Sequence, residues 1–363
     1  MLSAITYVPI LAKDGFGVSE IFIAFIAGGY ATARFLSSYI FGRAGDVYSR
    51  KIVIKVGLLL STISFGLLLL TSNFETLFIV RVLNGFCIGM YPGALTAYAF
   101  ESDMKMGRFA TWGAAGWGIG TLFSGFVANF NIYYAFLMCT IFLAIAFGTA
   151  LTLPPVQQVP MKVPWFPVET FKRNASIYLA VLMRHSSAFA IWTLWPLFLS
   201  DLGGDPFQIA VVQATNAIAQ VLFMVTVTDR IESKKLLLIG LVTSAIAFAW
   251  FPLASNILEI LPSQVLLGFA WACLFVGALK YVTDNNKERS TASGLLQSML
   301  SLSGIIGPII AVIIYSIWPE YAPIMFFAMA MSLLASVLFW LYNRNHRSDE
   351  SDLIADVSHT SLS

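Results

Sequence analysis

The chain has 363 residues, of which 58% are hydrophobic and 11% are charged, and its formal net charge is +2. Soluble domains carry about 25% charged residues, and a soluble fold of this size has too little interior to hide so much apolar surface. The small net charge and the absence of a basic stretch interleaved with aromatic residues disfavour a nucleic-acid surface. We therefore expect a membrane protein whose solvent is the lipid bilayer.

The first predicted element is an apolar stub, residues 1–12, which is too short to cross a hydrocarbon core about 30 Å thick. Eleven later segments of about 20 apolar residues are long enough to cross it. They are predicted near 20–41, 52–71, 76–98, 108–130, 132–153, 176–199, 207–228, 235–254, 257–282, 291–317 and 321–342. The sequence thus predicts an all-α integral membrane protein of twelve helices with an incomplete first helix.

Basic residues occupy alternate loops of this arrangement, whereas the opposite loops contain only Lys13. The positive-inside rule places the basic side in the cytoplasm. We expect a multi-pass protein of the plasma or inner membrane with both termini cytoplasmic in the full-length form. The basic residues are Arg43, Arg50, Lys51, Lys55, Lys105, Arg108, Lys162, Lys172, Arg173, Arg230, Lys234, Lys235, Lys287, Arg289, Arg344 and Arg347.

The loop 154–175 divides the chain near its middle and contains five of the fourteen prolines, which makes it a predicted cytoplasmic linker. It separates a first bundle, residues 1–153, from a second bundle, residues 176–342. The tail, residues 343–363, is acidic and rich in serine, and we expect it to be disordered.

Two landmarks recur at an offset of 183 residues. RVLNGF at 81–86 is matched by QVLLGF at 264–269, and Asp46 is matched by Asp229. The offset predicts two duplicated halves, and parallel repeats of this kind place a substrate site between the halves near the midplane. It also predicts that helix one should start about eight residues before Met1, so its first turns are expected to be missing through a misassigned start or a truncation.

Residues 42–51, GRAGDVYSRK, resemble the loop pattern G-x-x-x-D-R-x-G-R-K/R of the major facilitator superfamily. Val47 and Ser49 depart from the usual basic residue and glycine. The second copy, residues 225–234, keeps the aspartate and the following arginine but loses both glycines and the ninth-position arginine. The candidate gating-loop residues are Gly42, Asp46, Arg50, Lys51, Asp229 and Arg230.

Two further patterns support the same resemblance. Arg81-x-x-Asn84-Gly85 is similar to the family's R-x-x-q-G, and residues 304–308, GIIGP, are similar to a G-P element. The resemblance implies a prokaryotic transporter with two six-helix bundles, in which helices one, four, seven and ten surround the path. It also implies that the gating loop stabilises the outward-open form, whereas the alternative is that its cations only set topology.

An ionisable group at membrane depth is a candidate functional residue, and the cationic or titratable ones here are Arg34, Arg81, Arg184 and His185. No Asp or Glu lies deep in a complete span, so the predicted cavity is cationic and suits an anionic or amphiphilic compound. Polar and aromatic residues at helical spacing could line the same path. They are Asn84, Trp192, Gln213, Asn216, Gln220, Gln264 and Trp271.

Each of these candidates has a structural alternative. The arginines could serve as buried hydrogen-bond donors, the amides could hold helices together, and the tryptophans could be packing residues. We assign a set of small residues and one proline to close helix packing: Gly116, Gly120, Gly304, Gly307 and Pro308.

The predicted function is secondary active transport of a small organic solute by alternating access, as proton-coupled efflux or antiport. The alternatives are an uncoupled facilitator and a non-transporting receptor on the same fold. An integral-membrane enzyme is disfavoured because three histidines cannot build a catalytic or metal cluster. We expect no catalytic residue, metal or cofactor, no ATP hydrolysis because a P-loop is absent, and a monomer whose partners are its solute, lipid and protons.

Overall fold

The computed structural model describes residues 7–156, 158 and 160–360, without the side chains at 20, 21, 24, 206, 207 and 345–360. The first six residues of the predicted stub lie outside this part. The described residues form twelve helices and no strand. The helices are α1 (Tyr7–Ile10, continued by a π turn, Leu11–Gly15), α2 (Glu20–Val47), α3 (Arg50–Leu70), α4 (Phe74–Glu101), α5 (Met106–Ala128), α6 (Ile132–Leu151), α7 (Val168–Asp201), α8 (Pro206–Thr226), α9 (Ser233–Trp250), α10 (Ile260–Asp284), α11 (Arg289–Ile317) and α12 (Ala322–Thr360).

Within the described residues, nine helices are long and apolar enough to cross a membrane. Eleven complete spans were expected, and the two outside this set are α2 and α5. These have 28 and 23 residues, so both are also long enough to cross. Helix α5 is less apolar because it is rich in glycine. Together the helices form an all-α integral membrane fold.

Two helix boundaries differ most from the sequence-based expectation. Helix α7 begins at Val168, eight residues before the predicted start, because Pro167 is the last residue that interrupts a helix before the span. Helix α12 continues to Thr360, although a disordered tail was expected from residue 343. No glycine or proline follows Pro323, so nothing in the local sequence forces the helix to end at the membrane surface.

The helices pack into two groups that meet along two lines. In the first half α2 packs on α4 and α3 packs on α6, while in the second half α7 packs on α11 and α12, and α10 packs on α8 and α9. Between the halves, α2 and α4 pack on α11, and α5 packs on α8. We call the α2–α4–α11 contact the first seam and the α5–α8 contact the second seam. The membrane side that carries the basic loops is called the basic face.

The first seam brings backbones into direct contact at glycine. A Cβ atom on Gly42 would lie 2.8 Å from the Cα of Gly294, and one on Gly93 would lie 2.8 Å from the carbonyl oxygen of Ser290. Helix α4 reaches this contact after a break at Tyr91, where Pro92 cannot donate the next helical hydrogen bond. Glycine is therefore required for the two halves to close at the basic face.

Candidate functional site

A cavity of about 610 Å³ lies between the halves, with walls from α5, α7, α8 and α10. Eight of the eleven predicted path residues line it. They are Arg184, His185, Trp192, Gln213, Asn216, Gln220, Gln264 and Trp271. These residues project from three helices of the second half, and α5 of the first half closes the remaining side.

An aromatic stack forms one wall of the cavity. The His185 ring lies 4.8 Å from Trp271 in a stacked arrangement and 4.9 Å from Phe189 in an edge arrangement. Trp271 in turn stacks on Phe275 at 5.2 Å with nearly parallel planes. The Nδ1 atom of His185 is buried and has no hydrogen-bond partner among the described residues. Such a wall offers flat apolar faces with one polar edge.

Arg184 places a positive charge in the same wall. It is 2% exposed, its Nε donates to Oγ of Ser244 at 2.9 Å, and its guanidinium lies 5.2 Å from the Phe248 ring and 5.6 Å from Trp271. Its Nη2 has no partner among the described residues, and no carboxylate pairs with it there. A buried guanidinium without a counter-ion is costly, so an anionic group in the cavity would be stabilised beside it.

The side-chain amides of α8 have both of the predicted roles, since they line the cavity and also hold helices together. Gln220 Nε2 donates to Asn216 Oδ1 at 2.6 Å, and Asn216 Nδ2 donates to the carbonyl oxygen of Gln264 at 3.2 Å. They therefore join α8 to α10 while lining the cavity. The side-chain Nε2 of Gln264 is buried and without a described partner, so it is a further donor that a bound molecule could use.

Three predicted path residues lie elsewhere. The Arg81 guanidinium sits over the Tyr30 ring at 4.2 Å, between α4 and α2, and Asn84 donates to the carbonyl oxygen of Ser64 at 2.6 Å. Arg34, on α2, is also absent from the cavity lining. The spacing of three residues correctly predicted that Arg81 and Asn84 lie on one face of the same helix. It did not show that this face packs against α2 and α3.

Several lining residues were missed by the sequence analysis. The main ones are Trp117 on α5, Trp195 on α7, Met224 on α8 and Phe275 on α10. Two of these residues could have been found from helical spacing in the sequence. Trp117 continues a stripe with Ala110 and Ala114 at helical spacing, and Phe275 lies one turn after Trp271.

At the first seam, Asp46 and Arg50 are both almost fully buried and form an ion pair of 2.8 Å. Asp46 also caps α11 of the other half, since it accepts from the backbone N–H groups of Ser290 at 3.2 Å and Thr291 at 2.7 Å. The Thr291 hydroxyl donates to the same carboxylate at 2.7 Å. The carboxylate therefore joins the two halves at the positive end of a helix dipole.

Glu101 extends this cluster from the end of α4. It forms an ion pair with Arg50 and lies 3.8 Å from the guanidinium of Arg289. Glu101 was not among the predicted residues, because it stands 55 residues from Asp46 and outside the loop pattern. Lys51 and Arg230, by contrast, make no side-chain hydrogen bond or ion pair within the part of the chain that the structure describes.

At the second seam, Asp229 accepts from the backbone N–H of Gly107 at 2.9 Å. Gly107 is the second residue of α5, so Asp229 caps a helix of the other half as Asp46 does. A Cβ atom at Gly107 would lie 2.3 Å from Thr228 Oγ1 and 2.6 Å from the carbonyl oxygen of Met224. Each of the two predicted gating aspartates thus accepts a hydrogen bond across one seam at the basic face.

The linker packs on the gating loop of the first half. Gln158 accepts from the backbone N–H of Arg50 at 2.9 Å and donates to the carbonyl oxygen of Gly45 at 2.7 Å. Arg43 donates to the carbonyl oxygen of Val163 at 2.8 Å and lies 4.2 Å from the Trp165 ring. The linker is therefore attached to the first half at the basic face.

The glycines assigned to helix packing behave differently from one another. Gly307 is tightly packed, since an added Cβ would lie 2.3 Å from Cβ of Phe189 on α7, and Gly304 has only ordinary contact with the same ring. Pro308 follows inside α11, and Gly120 is buried. Gly116 has no neighbour within 4 Å of an added Cβ, so close packing there was a wrong expectation: Gly116 is on an exposed face of α5.

The family model of the Major Facilitator Superfamily matches the chain twice, over residues 1–183 and 177–358. By sequence, the chain is 24% identical to the multi-drug resistance efflux pump PmrA of Streptococcus pneumoniae, over 92% of this chain and 90% of the relative. It is also 24% identical to the quinolone resistance protein NorA of Staphylococcus aureus, over 95% and 92% of the two chains.

Solved structures show the same fold. The human organic anion transporter MFSD10 (TETRAN) has a TM-score of 0.76 at 15% identity, covering 87% of this chain and 83% of that one. The proton:xylose symporter XylE has a TM-score of 0.73 at 14% identity, covering 94% and 91%. Since the family model spans nearly the whole chain, this protein belongs to the major facilitator superfamily and is a multi-pass membrane transporter.

Proposed function

We propose that this transporter exports a small anionic or amphiphilic aromatic compound by alternating access between its two halves. The guanidinium of Arg184, which has no described carboxylate partner in the cavity wall, carries the proposal, because an aromatic stack lies directly beside it. A molecule with a flat ring and an acidic group would stack on Trp271 and give Arg184 the counter-ion that it lacks. PmrA is a multi-drug resistance efflux pump and NorA is a quinolone resistance protein, which supports export as the direction of transport.

The proposed conformation of this structure is closed at the basic face, which we take to be cytoplasmic. Asp46, Glu101 and Gly107 join the halves close to the basic-loop ends of their helices, and Ser298 does so nine residues into α11. Breaking the two seams and joining the opposite ends would give the other access state.

We propose His185 as the proton-coupling residue of the cavity. Among the described lining residues, His185 has a ring nitrogen, Nδ1, without a described hydrogen-bond partner, and this atom could take up a proton. No aspartate or glutamate lines the cavity in that part of the chain. We propose that the rocking of the two halves depends on His185 and Arg184, whether substrate or protons drive it.

The test compares two deeply buried arginines in different places. Arg184→Gln removes the cavity cation, whereas Arg81→Gln removes a cation that sits over Tyr30 outside the cavity lining. In proteoliposomes, export of an aromatic carboxylate such as carboxyfluorescein should fall at least about tenfold in Arg184→Gln, as expected for a lost charge-assisted contact of about 1.5–3 kcal/mol. Arg184→Lys, which keeps the charge, should retain part of the activity.

The second arm of the assay uses an aromatic cation, ethidium. Arg184→Gln should transport ethidium at least as well as the unaltered protein, because the repulsive charge is gone. Equal loss of both compounds in Arg184→Gln, with normal monodispersity, would contradict the anion assignment. A greater loss of export in Arg81→Gln than in Arg184→Gln would instead place the substrate path against α2 and α4. If neither the unaltered protein nor any variant transports either compound, a receptor would be favoured.

A further inference from the structure

We propose that a cleft at the basic end of the second seam binds the headgroup of an anionic phospholipid. The cleft has a volume of about 520 Å³ and lies where α5 meets α8. Its lining contains three cations, Lys105, Arg108 and Arg230, against one carboxylate, Asp229. Within the described residues none of the three cations has a hydrogen bond or an ion pair through its side chain. The cleft therefore presents a net positive charge without internal partners.

The single carboxylate does little to neutralise this charge. Asp229 is directed at the backbone N–H of Gly107, with its Oδ1 atom at 2.9 Å. One of its oxygens is thus already engaged by the positive end of α5, and the cations are exposed at the mouth of the cleft. A phosphate group has enough acceptor oxygens to bind more than one guanidinium.

The surroundings of the cleft identify a lipid as the source of that phosphate. Trp112 and Val225 line the cleft on its apolar side, and both are strongly exposed. Further along the same seam Ile218 and Leu222 are also exposed, which in a membrane-spanning helix places them against acyl chains. Tryptophan at the junction of basic and apolar surface is typical of headgroup level in a bilayer. A lipid can place its phosphate among the cations and its chains along the exposed apolar residues.

The internal repeat shows that the fold does not require this charge. Positions 105, 108 and 230 correspond, at the offset of 183, to Glu288, Thr291 and Val47 at the first seam. The first seam therefore has the same capping geometry without any of the three cations. Because Arg108 belongs to the first half and Arg230 to the second, a shared phosphate would join the two halves while the basic face is closed.

Native mass spectrometry of the purified full chain tests the proposal by titration with phosphatidylglycerol or phosphatidylcholine. Arg108→Thr combined with Arg230→Val copies the first seam and removes two cations. Each basic residue near an anionic lipid surface contributes about fivefold in affinity, so this pair should weaken phosphatidylglycerol binding by roughly thirtyfold. Phosphatidylcholine binding should not change. The charge-retaining pair Arg108→Lys and Arg230→Lys should bind phosphatidylglycerol nearly normally.

The matched control is Lys172→Gln combined with Lys287→Gln, which removes two exposed cations of the basic face outside the cleft. This pair should leave phosphatidylglycerol affinity unchanged. Equal weakening in the control pair would overturn the proposal, because the effect would then be general surface charge. Displacement of the lipid by millimolar inorganic phosphate would also overturn it, since the cleft would then select a free anion. Unchanged phosphatidylglycerol binding in the Arg108→Thr and Arg230→Val double variant would likewise overturn the proposal.

Discussion

The two seams have one geometry but different chemistry. Asp46 and Asp229 are 183 positions apart, and so are the residues whose backbone N–H groups they bind, Gly107 and Ser290. Each aspartate comes from one half and caps a helix of the other. The capping contact is therefore a property of the repeated fold, since both copies keep it after the rest of the loop pattern has diverged.

The two seams differ in the charged residues that lie next to the capping aspartate. At the first seam Arg50 joins Asp46 to Glu101 in a buried cluster. At the equivalent of Arg50 the second half has Ser233, although Asp284 still stands at the equivalent of Glu101. In the described residues, three hydrogen bonds from α11 to Asp46 and the Glu101–Arg289 ion pair cross the first seam, whereas the bond from Gly107 to Asp229 crosses the second. We therefore predict that opening of the basic face is controlled mainly by the first seam.

Among the substitutions at the two seams, Asp46→Asn is expected to have the largest effect on the opening of the basic face. It removes a buried ion pair and weakens three hydrogen bonds to α11, and loss of one partner of a buried pair costs about 3–5 kcal/mol. That is enough to reverse a two-state equilibrium. Spin labels at Met104→Cys and Glu232→Cys, one in each half at the basic face, should report a longer distance by pulsed electron resonance, and transport should fall at least about tenfold.

The three natural cysteines are buried and can be replaced before labelling. A short inter-label distance in Asp46→Asn, together with normal transport at normal abundance, would mean that Asp46 is not needed to hold the basic face closed. The cations of this loop would then serve topology alone.

Asp229→Asn should have a clearly smaller effect. It weakens the hydrogen bond to Gly107 by removing its charge, where the charge-assisted bond is worth about 1.5–3 kcal/mol, and leaves no buried cation without a partner. The same pair of labels should show a minor population of the longer distance and a transport rate reduced severalfold at most. An opening as large as that of Asp46→Asn would refute the proposed asymmetry between the seams.

Ser233→Arg should strengthen the second seam slightly. The substitution restores the arginine that the first half has at Arg50, next to Asp229 and Asp284 in the equivalent arrangement. Partly exposed ion pairs contribute about 0.2–1 kcal/mol, so we expect a small shift of the label distances towards the closed basic face. Ser233→Gln is the uncharged control, and an equal shift in both variants would exclude an ionic cause.

The fold and eight of the eighteen residues that line the cavity could be predicted from the sequence for identifiable reasons. Apolar spans, alternate basic loops and the repeat depend on the bilayer and on helix length, so they are visible in a single chain. The helix-seven and helix-ten residues, His185 and Trp271, were found because a buried ionisable or aromatic stripe is unusual. Arg81 was predicted to face the cavity by the same rule, and it instead lies over Tyr30.

The contacts that escaped prediction depend on pairs of helices. Glu101, Ser290 and Thr291 belong to the Asp46 cluster only because α4 and α11 meet at glycine contacts. A helical wheel gives the face on which a residue lies, but it does not give the neighbour of that face. The linker contacts of Gln158 are of the same kind, because they depend on where a proline-rich segment crosses the gating loop.

The smallest expected effect concerns Glu288, which stands at the repeat equivalent of Lys105 and links α11 to α7 outside the spans. Glu288 accepts from Thr170 Oγ1 at 2.8 Å and from Arg173 at 3.0 Å. Burial acts to raise the pKa of its carboxyl group, but the hydrogen bonds from its own backbone, from Thr170 and from Arg173, with the charge of Arg173, lower the pKa below its ordinary 4.5.

A lowered pKa in the folded state means that ionised Glu288 stabilises the fold above about pH 4.5, and that this stabilisation is lost as the pH falls through the folded value. Arg173 is 45% exposed, so solvent screens the pair and the effect is small. In detergent at pH 7, Glu288→Gln should lower the melting temperature by about 1–2 °C, and the difference should vanish towards pH 3. Glu232→Gln, which removes an exposed pair with Lys235, is the control. A difference that grows on acidification would show that Glu288 is instead destabilised by its burial.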